Sequence, residues 1–373
     1  MIYFIMLFIS LLLAGLYVKK EKKKIYAVLS FVPFFLVSAL RYDVGTDYLY
    51  RYVPNYISIV NGMNVASLEP LFNLLIKVCV FFTKDYSLLF IITSAIIIGL
   101  IFKKIYKESK IVVLSIIIFF AGSFFFQSMN LVRQYISIAI IFSSYKLLLS
   151  DKKSDHIIWF FAIVVASLFH TISIAFLPMY FFRKRHISIK VFIVLLLFII
   201  IFGGIIPELL VSFMKIVGLN EFTNFNKYEH YLLYKGELPY ATLISELIIY
   251  IYMVIMYNNF KKKTNFNEEK TKANFYLNCQ SFVLLFTIMN IHIELFFRFA
   301  AIFAIFQILS IPYFYYQNKI DGIKIVRIYI KKGAIYLTTL IVGIMFFRLI
   351  YSNIICRAEE VFPYKTIFIE ERV

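Results

Sequence analysis

MIYFIMLFISLLLAGLYVKKEKKK, residues 1–24, is an unbroken apolar run from Ile2 to Val18 closed by a block of five lysines around Glu21. The run is long enough to cross the roughly 30 Å hydrocarbon core of a bilayer as a helix. Its basic residues follow the apolar stretch instead of preceding it, the reverse of a cleavable signal peptide. It therefore reads as a retained membrane span, and the lysine block marks the end held on the cytoplasmic side.

The rest of the chain repeats this pattern. Of its 373 residues 62% are hydrophobic and only 16% charged, against roughly 45–50% and about 25% in soluble domains. That excludes a soluble enzyme, a disordered chain and a secreted disulfide scaffold. Three cysteines make no framework, and no metal-ligand spacing occurs, so neither a metal nor another cofactor is expected. The net charge of +18 is not a nucleic-acid footprint, because the Lys and Arg fall in short blocks between apolar runs.

Apolar runs at about 2–18, 25–40, 86–102, 111–127, 131–149, 190–206, 241–258, 273–290, 295–316 and 333–350 predict spanning helices. Two further regions, 71–82 and 157–182, hold segments too short to cross. A 12-residue helix reaches only about 18 Å, so these are expected to be re-entrant, the second breaking around His170. The fold class is all-α: a single polytopic membrane bundle over 1–373 with about 10–12 transmembrane helices. With the N-terminus outside, loops 19–24, 103–110, 183–190, 260–272 and 318–332 are cytoplasmic and carry most of the 39 basic residues, as the positive-inside rule requires. They also suit contact with anionic membrane lipids. Loops 41–70 and 207–240 then lie outside.

Charged groups within a bundle cost free energy and call for a reason. Arg41-Tyr-Asp43-Val-Gly45-Thr-Asp47-Tyr48 sets one Arg and two Asp around a turn-forming glycine. Asn130, Arg133 and Gln134 stand near the outer end of an apolar run, where Arg133 is either a snorkelling anchor or an anion-binding fork. His170, at the break of the short hairpin, is a hydrogen-bonded core residue or a base near neutral pH. Glu294 and Arg298, beside His292, share a helix face at i, i+4, which suits an internal ion pair. Glu69-Pro70, Arg348 and Tyr364 complete the outer polar inventory. Arginines and carboxylates converging on one leaflet fit an anionic, lipid-linked substrate.

These residues carry a resemblance. RYDVGTDYLYRY at 41–52, EPLFNLL at 69–75, NLVRQYISIAI at 130–140, LFHTISIAFLP at 168–178, FRFA at 297–300 and FPYK at 362–365 are similar to the EpsG family of polytopic polysaccharide-biosynthesis proteins, related in role to Wzy O-antigen and capsule polymerases. The resemblance implies a metal-independent glycosyltransferase on the outer face of the cytoplasmic membrane. It would join oligosaccharide repeat units carried on undecaprenyl diphosphate, in company with a chain-length regulator and a flippase. Fixed cations would stabilise the leaving diphosphate and a base would deprotonate the attacking hydroxyl. On that view Arg133 and Arg298, with Arg41, meet the diphosphate, and Asp47 or His170 is the base. Glu69, Asp43, Glu294 and Gln134 are substrate-side polar contacts, and Tyr48 is a ring on which a sugar stacks. The rivals are an acyltransferase decorating the polymer, a flippase of the lipid-linked unit, and a related ligase. A transporter should show an internal repeat, and none is evident.

Overall fold

The computed structural model describes residues 1–373 except 64, 66, 67, 217–228, 230, 231, 237–239, 262–266, 321, 322, 326, 327 and 369–373. Parts of the loops expected at 41–70, 207–240, 260–272 and 318–332 thus lie outside the described residues.

The molecule is helical, as the apolar periodicity requires. Among the described residues nine α-helices open the chain: α1 Ile2–Lys19, α2 Lys24–Ala39, α3 Val53–Val60, α4 Pro70–Phe82, α5 Ser87–Glu108, α6 Val112–Ala121, α7 Phe124–Asn130, α8 Val132–Leu149 and α9 Lys153–Phe169. Longer helices downstream run over Tyr240–Lys261, Asn267–Met289 and Gly333–Leu349. Each span expected from the sequence coincides with a helix or a bent helix pair. Among the described residues four helices are individually long and apolar enough to cross a membrane, or up to seven if each bent pair is one span. This is fewer than the sequence count for identifiable reasons. The 16-residue α2 is short, and the helix at Asn267 opens with the polar residues NEEKTK.

Both short segments are found. The first is the 13-residue α4, with Pro70 in its first turn, where a missing N–H costs nothing. The second ends α9 at His170, whose extended backbone (φ −158°, ψ 115°) precedes the narrow helical turn Thr171–Phe176. The basic loop at 318–332 contains two antiparallel strands, Ile323–Ile325 and Ile328–Ile330, with Ile323 opposite Ile330. Their Ile-Lys-Ile and Ile-Tyr-Ile alternation has the period of two that a ladder uses.

The chain divides into two compact units, Met1–Leu177 with Ile308–Tyr316 and Thr338–Val373, and Pro178–Gln307 with Gln317–Leu337. In the first unit α1 packs on α2, α2 on α5, and α5 and α9 on α8. Helix α8 has no polar face and is buried around nearly its whole circumference, as expected of a helix at the centre of a bundle.

The path into α8 is broken twice. Helices α6 and α7 meet at 52° across Gly122 and Ser123, the latter in the left-handed region at φ 63°. Such a break frees backbone groups that must find partners. The Gly122 carbonyl accepts from Arg348 Nη2 at 3.4 Å, and Asn353 Nδ2 donates to Ser123 Oγ at 3.2 Å. The second break is Leu131, between α7 and α8.

Candidate functional site

The site forms around that second break. Arg133, in the first turn of α8, points Nη1 at Oε2 of Glu69 at 2.5 Å. Glu69 precedes Pro70, which favours the extended backbone that Glu69 adopts (φ −64°, ψ 147°) at the start of α4. Its other oxygen, Oε1, takes a hydrogen bond from His170 Nδ1 at 2.9 Å. A single carboxylate thus joins three segments that the sequence keeps far apart. Side-chain exposure is 9% for Arg133, 14% for Glu69 and 13% for His170, so the cluster is largely shielded from solvent without being sealed.

The electrostatics follow from this geometry. Burial by itself would raise the Glu69 carboxyl, but the hydrogen bond from His170 and the charge of Arg133 outweigh it and hold the group down at about 2. Glu69 is therefore an anion throughout the physiological range. With Nδ1–H donated to Glu69, the neutral imidazole of His170 carries its lone pair on Nε2, the tautomer a base requires. His170 is itself secured: Ser173 donates both N–H (3.1 Å) and Oγ–H (2.8 Å) to its carbonyl, and Ser137 of α8 donates to the Ala166 carbonyl at 2.7 Å. The Phe72 ring centroid lies 6.0 Å from the Arg133 guanidinium, and Tyr52 packs on Phe72 at 5.9 Å.

The 41–48 motif docks against the other side of the break. Asn130 Oδ1 accepts from Thr46 Oγ1 at 2.8 Å and from the Asp47 N–H at 3.0 Å. Gly45 has φ +99°, and a Cβ there would lie 3.3 Å from both the Asn130 Cα and the Met129 carbonyl oxygen. Only glycine meets both demands. Asp47 also lies 3.9 Å from Arg51.

Other expected site residues have different surroundings. Arg41 is 1% exposed, donates to the carbonyls of Ser38 and Met129 and lies 4.7 Å over the Phe90 ring, so its donors tie α2 to α7. Tyr48 is a core residue stacked on Phe90 at 4.1 Å, with its hydroxyl donating to the Arg41 carbonyl at 3.3 Å. Asp43 pairs with Lys365 at 2.7 Å. Gln134 is buried in α8. Glu294 and Arg298 belong to the second compact unit. They do not share a helix face, because the helix begins at Phe296 and Glu294 precedes it, exposed.

One residue was missed. Asn130 Nδ2 donates to Oε2 of Glu359 at 2.5 Å, bringing a carboxyl from the C-terminal segment to the 46–47 turn. Burial raises that carboxyl, the Asn130 hydrogen bond lowers it and neighbouring Asp47 raises it again, leaving it at about 7. The only sequence signal was indirect: FPYK at 362–365 follows it closely. Among the described residues no group of three or more His, Cys, Asp or Glu could hold a metal ion.

The fold is that of a multi-pass helical membrane protein. The chain belongs to the EpsG family, which it matches over residues 24–366, a Wzy-like polymerase family. Membership points to a polymerase-type role in polysaccharide biosynthesis. No curated protein and no solved structure matches the chain.

Proposed function

We propose that the protein polymerises lipid-linked oligosaccharide repeat units, transferring the growing glycan from undecaprenyl diphosphate to an incoming unit. The observation that carries this is the single carboxylate of Glu69 binding both Arg133 and His170. In the transfer, the acceptor hydroxyl oxygen attacks the anomeric carbon of the lipid-linked chain and the bond from that carbon to the diphosphate oxygen breaks. The electron pair leaves on the diphosphate, where the planar donors of Arg133 meet the developing charge. The hydroxyl proton passes to Nε2 of His170, which Glu69 orients through Nδ1. Asp47, on the turn that Asn130 holds, is the alternative base. Each step falls to a side chain, so the reading is of a metal-independent transferase.

The basic loops support an active site on the extracytoplasmic face of the cytoplasmic membrane. There the enzyme would receive units from a flippase and work beside a chain-length regulator, making an O-antigen, capsule or exopolysaccharide. The test is the size profile of surface polysaccharide from a deletion strain, complemented with wild type or with Arg133→Ala at matched protein level. Collapse of the long-chain ladder to single units on deletion, unrestored by Arg133→Ala, is the expected result. A full ladder lacking only an acyl group would replace this reading with a decorating acyltransferase. Units trapped on the inner leaflet would replace it with a flippase.

A further inference from the structure

The C-terminal segment 357–367 is laid across the motif loop as a strap. Its anchors are spread along its length. Tyr42 N–H donates to the Lys365 carbonyl at 3.1 Å, Ile367 N–H to the Leu40 carbonyl at 3.1 Å, and Tyr3 Oη to the Val361 carbonyl at 2.7 Å. Tyr364 Oη donates to the Val37 carbonyl at 3.0 Å, and Lys365 pairs with Asp43 at 2.7 Å. These contacts hold the strap without help from Glu359.

Glu359 makes a different kind of contact, since it reaches the site and not the scaffold. The Asn130 amide has donors to satisfy on one end and acceptors on the other. Its oxygen takes the Thr46 hydroxyl and the Asp47 N–H, and its nitrogen gives to Glu359. Turning the amide over would set its NH2 against the Asp47 N–H and its oxygen against the Glu359 carboxylate, so the turn and Glu359 together fix which way Asn130 faces. Asn130 is the last residue of α7, two residues before the start of α8 and three before Arg133. The strap also receives the Gly45 N–H on the Glu360 carbonyl at 3.2 Å, and Tyr52 Oη donates to the Asn130 carbonyl at 3.1 Å.

We propose that Glu359 is a positioning residue of the transfer reaction, holding the Thr46–Asp47 turn and the α7–α8 break in register through Asn130. This rests on the polymerase reading above. The charged and titratable groups around it are Asp47 on the turn and Tyr135 on α8, with Arg357 and Glu360 on its own segment. Because the carboxyl titrates at about 7, it becomes an anion as the pH rises through neutrality, and burial, reinforced by neighbouring Asp47, disfavours that charge by more than the Asn130 hydrogen bond favours it. Seating of the turn therefore weakens with rising external pH. The protonated fraction falls about tenfold from one unit below that value to one unit above it.

The experiment follows incorporation of labelled sugar into long-chain polymer in the deletion strain, with external pH stepped from about 6 to about 8, the window that this titration spans. The complementing proteins are wild type, Glu359→Gln, Glu359→Ala and Arg133→Ala at matched membrane level. Lengthening by wild type should fall several-fold across the range. Glu359→Gln, which keeps an acceptor for Asn130 but never ionises, should hold the low-pH rate throughout, and Glu359→Ala should be slow at every pH. Coincident pH profiles for wild type and Glu359→Gln, or a wild-type rate for Glu359→Ala, would overturn the proposal. If Glu359→Ala does not accumulate, the Glu359→Gln profile decides alone. Loss of lengthening in the deletion strain and with Arg133→Ala, beside unaltered Glu359 variants, removes this inference only. Undiminished polymer in the deletion strain removes the polymerase reading with it.

Discussion

Replacing Glu69 by Gln removes one charge and nearly no volume, so its consequences can be worked from the cluster. The carboxyl is held at about 2 against an ordinary 4.5, a difference equivalent to about 3 kcal/mol of folding stability at pH 7. Little screening discount applies, because the side chain is only 14% exposed. Breaking a buried ion pair costs a similar amount, about 3–5 kcal/mol, by leaving Arg133 without its counter-charge. For a group with a depressed pKa, the stabilisation is complete above the unfolded value and drains away as pH falls through the folded one. The wild-type advantage over Glu69→Gln should thus persist from neutrality to about pH 4.5, halve by about pH 3 and vanish below about 2. Thermal unfolding of the purified proteins in detergent is the assay. The expected loss at pH 7 is on the order of 5 °C in Tm. A variant within about 0.5 kcal/mol of wild type, or a gap that widens on acidification, would refute the assignment of Glu69 as the shared anion.

Substitutions at three other positions separate site from scaffold. Arg133→Lys should fail to restore polymer, lowering the transfer rate about 100-fold or more, because a point charge does not replace a planar fork; single-unit product on a gel checks it. Gly45→Ala should cost about 1–3 kcal/mol, from the left-handed backbone and the close Asn130 Cα, read as a lowered Tm with reduced chain length. Tyr48→Phe should be tolerated for polymerisation, whereas Tyr48→Ala should destabilise by about 3–5 kcal/mol. Loss of polymer from Tyr48→Phe with intact folding would place that hydroxyl in the substrate site and contradict its scaffold role.

Much of this arrangement was legible in the sequence. Period and length located the helices, and Ser167, His170 and Thr171, polar residues interrupting an apolar run, marked the break at His170. Glu69-Pro70 announced a helix start. Roles that depend on packing were not legible. Arg41 and Arg133 look alike as letters, yet one guanidinium is spent on the Ser38 and Met129 carbonyls and the other on a carboxylate. Tyr48 reads as a surface aromatic until Phe90 is stacked on it. Glu294 and Arg298 have helical spacing, but the helix starts after Glu294. Glu359 meets Asn130 across 229 residues, and no local pattern encodes so distant a contact.

The central claim is chain lengthening by this protein itself. Its most direct test is reconstitution of the purified wild-type chain into liposomes with the undecaprenyl-diphosphate-linked unit that accumulates in the deletion strain. The account predicts a ladder of multiples of that unit, release of undecaprenyl diphosphate in step with each addition, and neither product with His170→Ala. Unlengthened units beside a folded wild-type protein would contradict it.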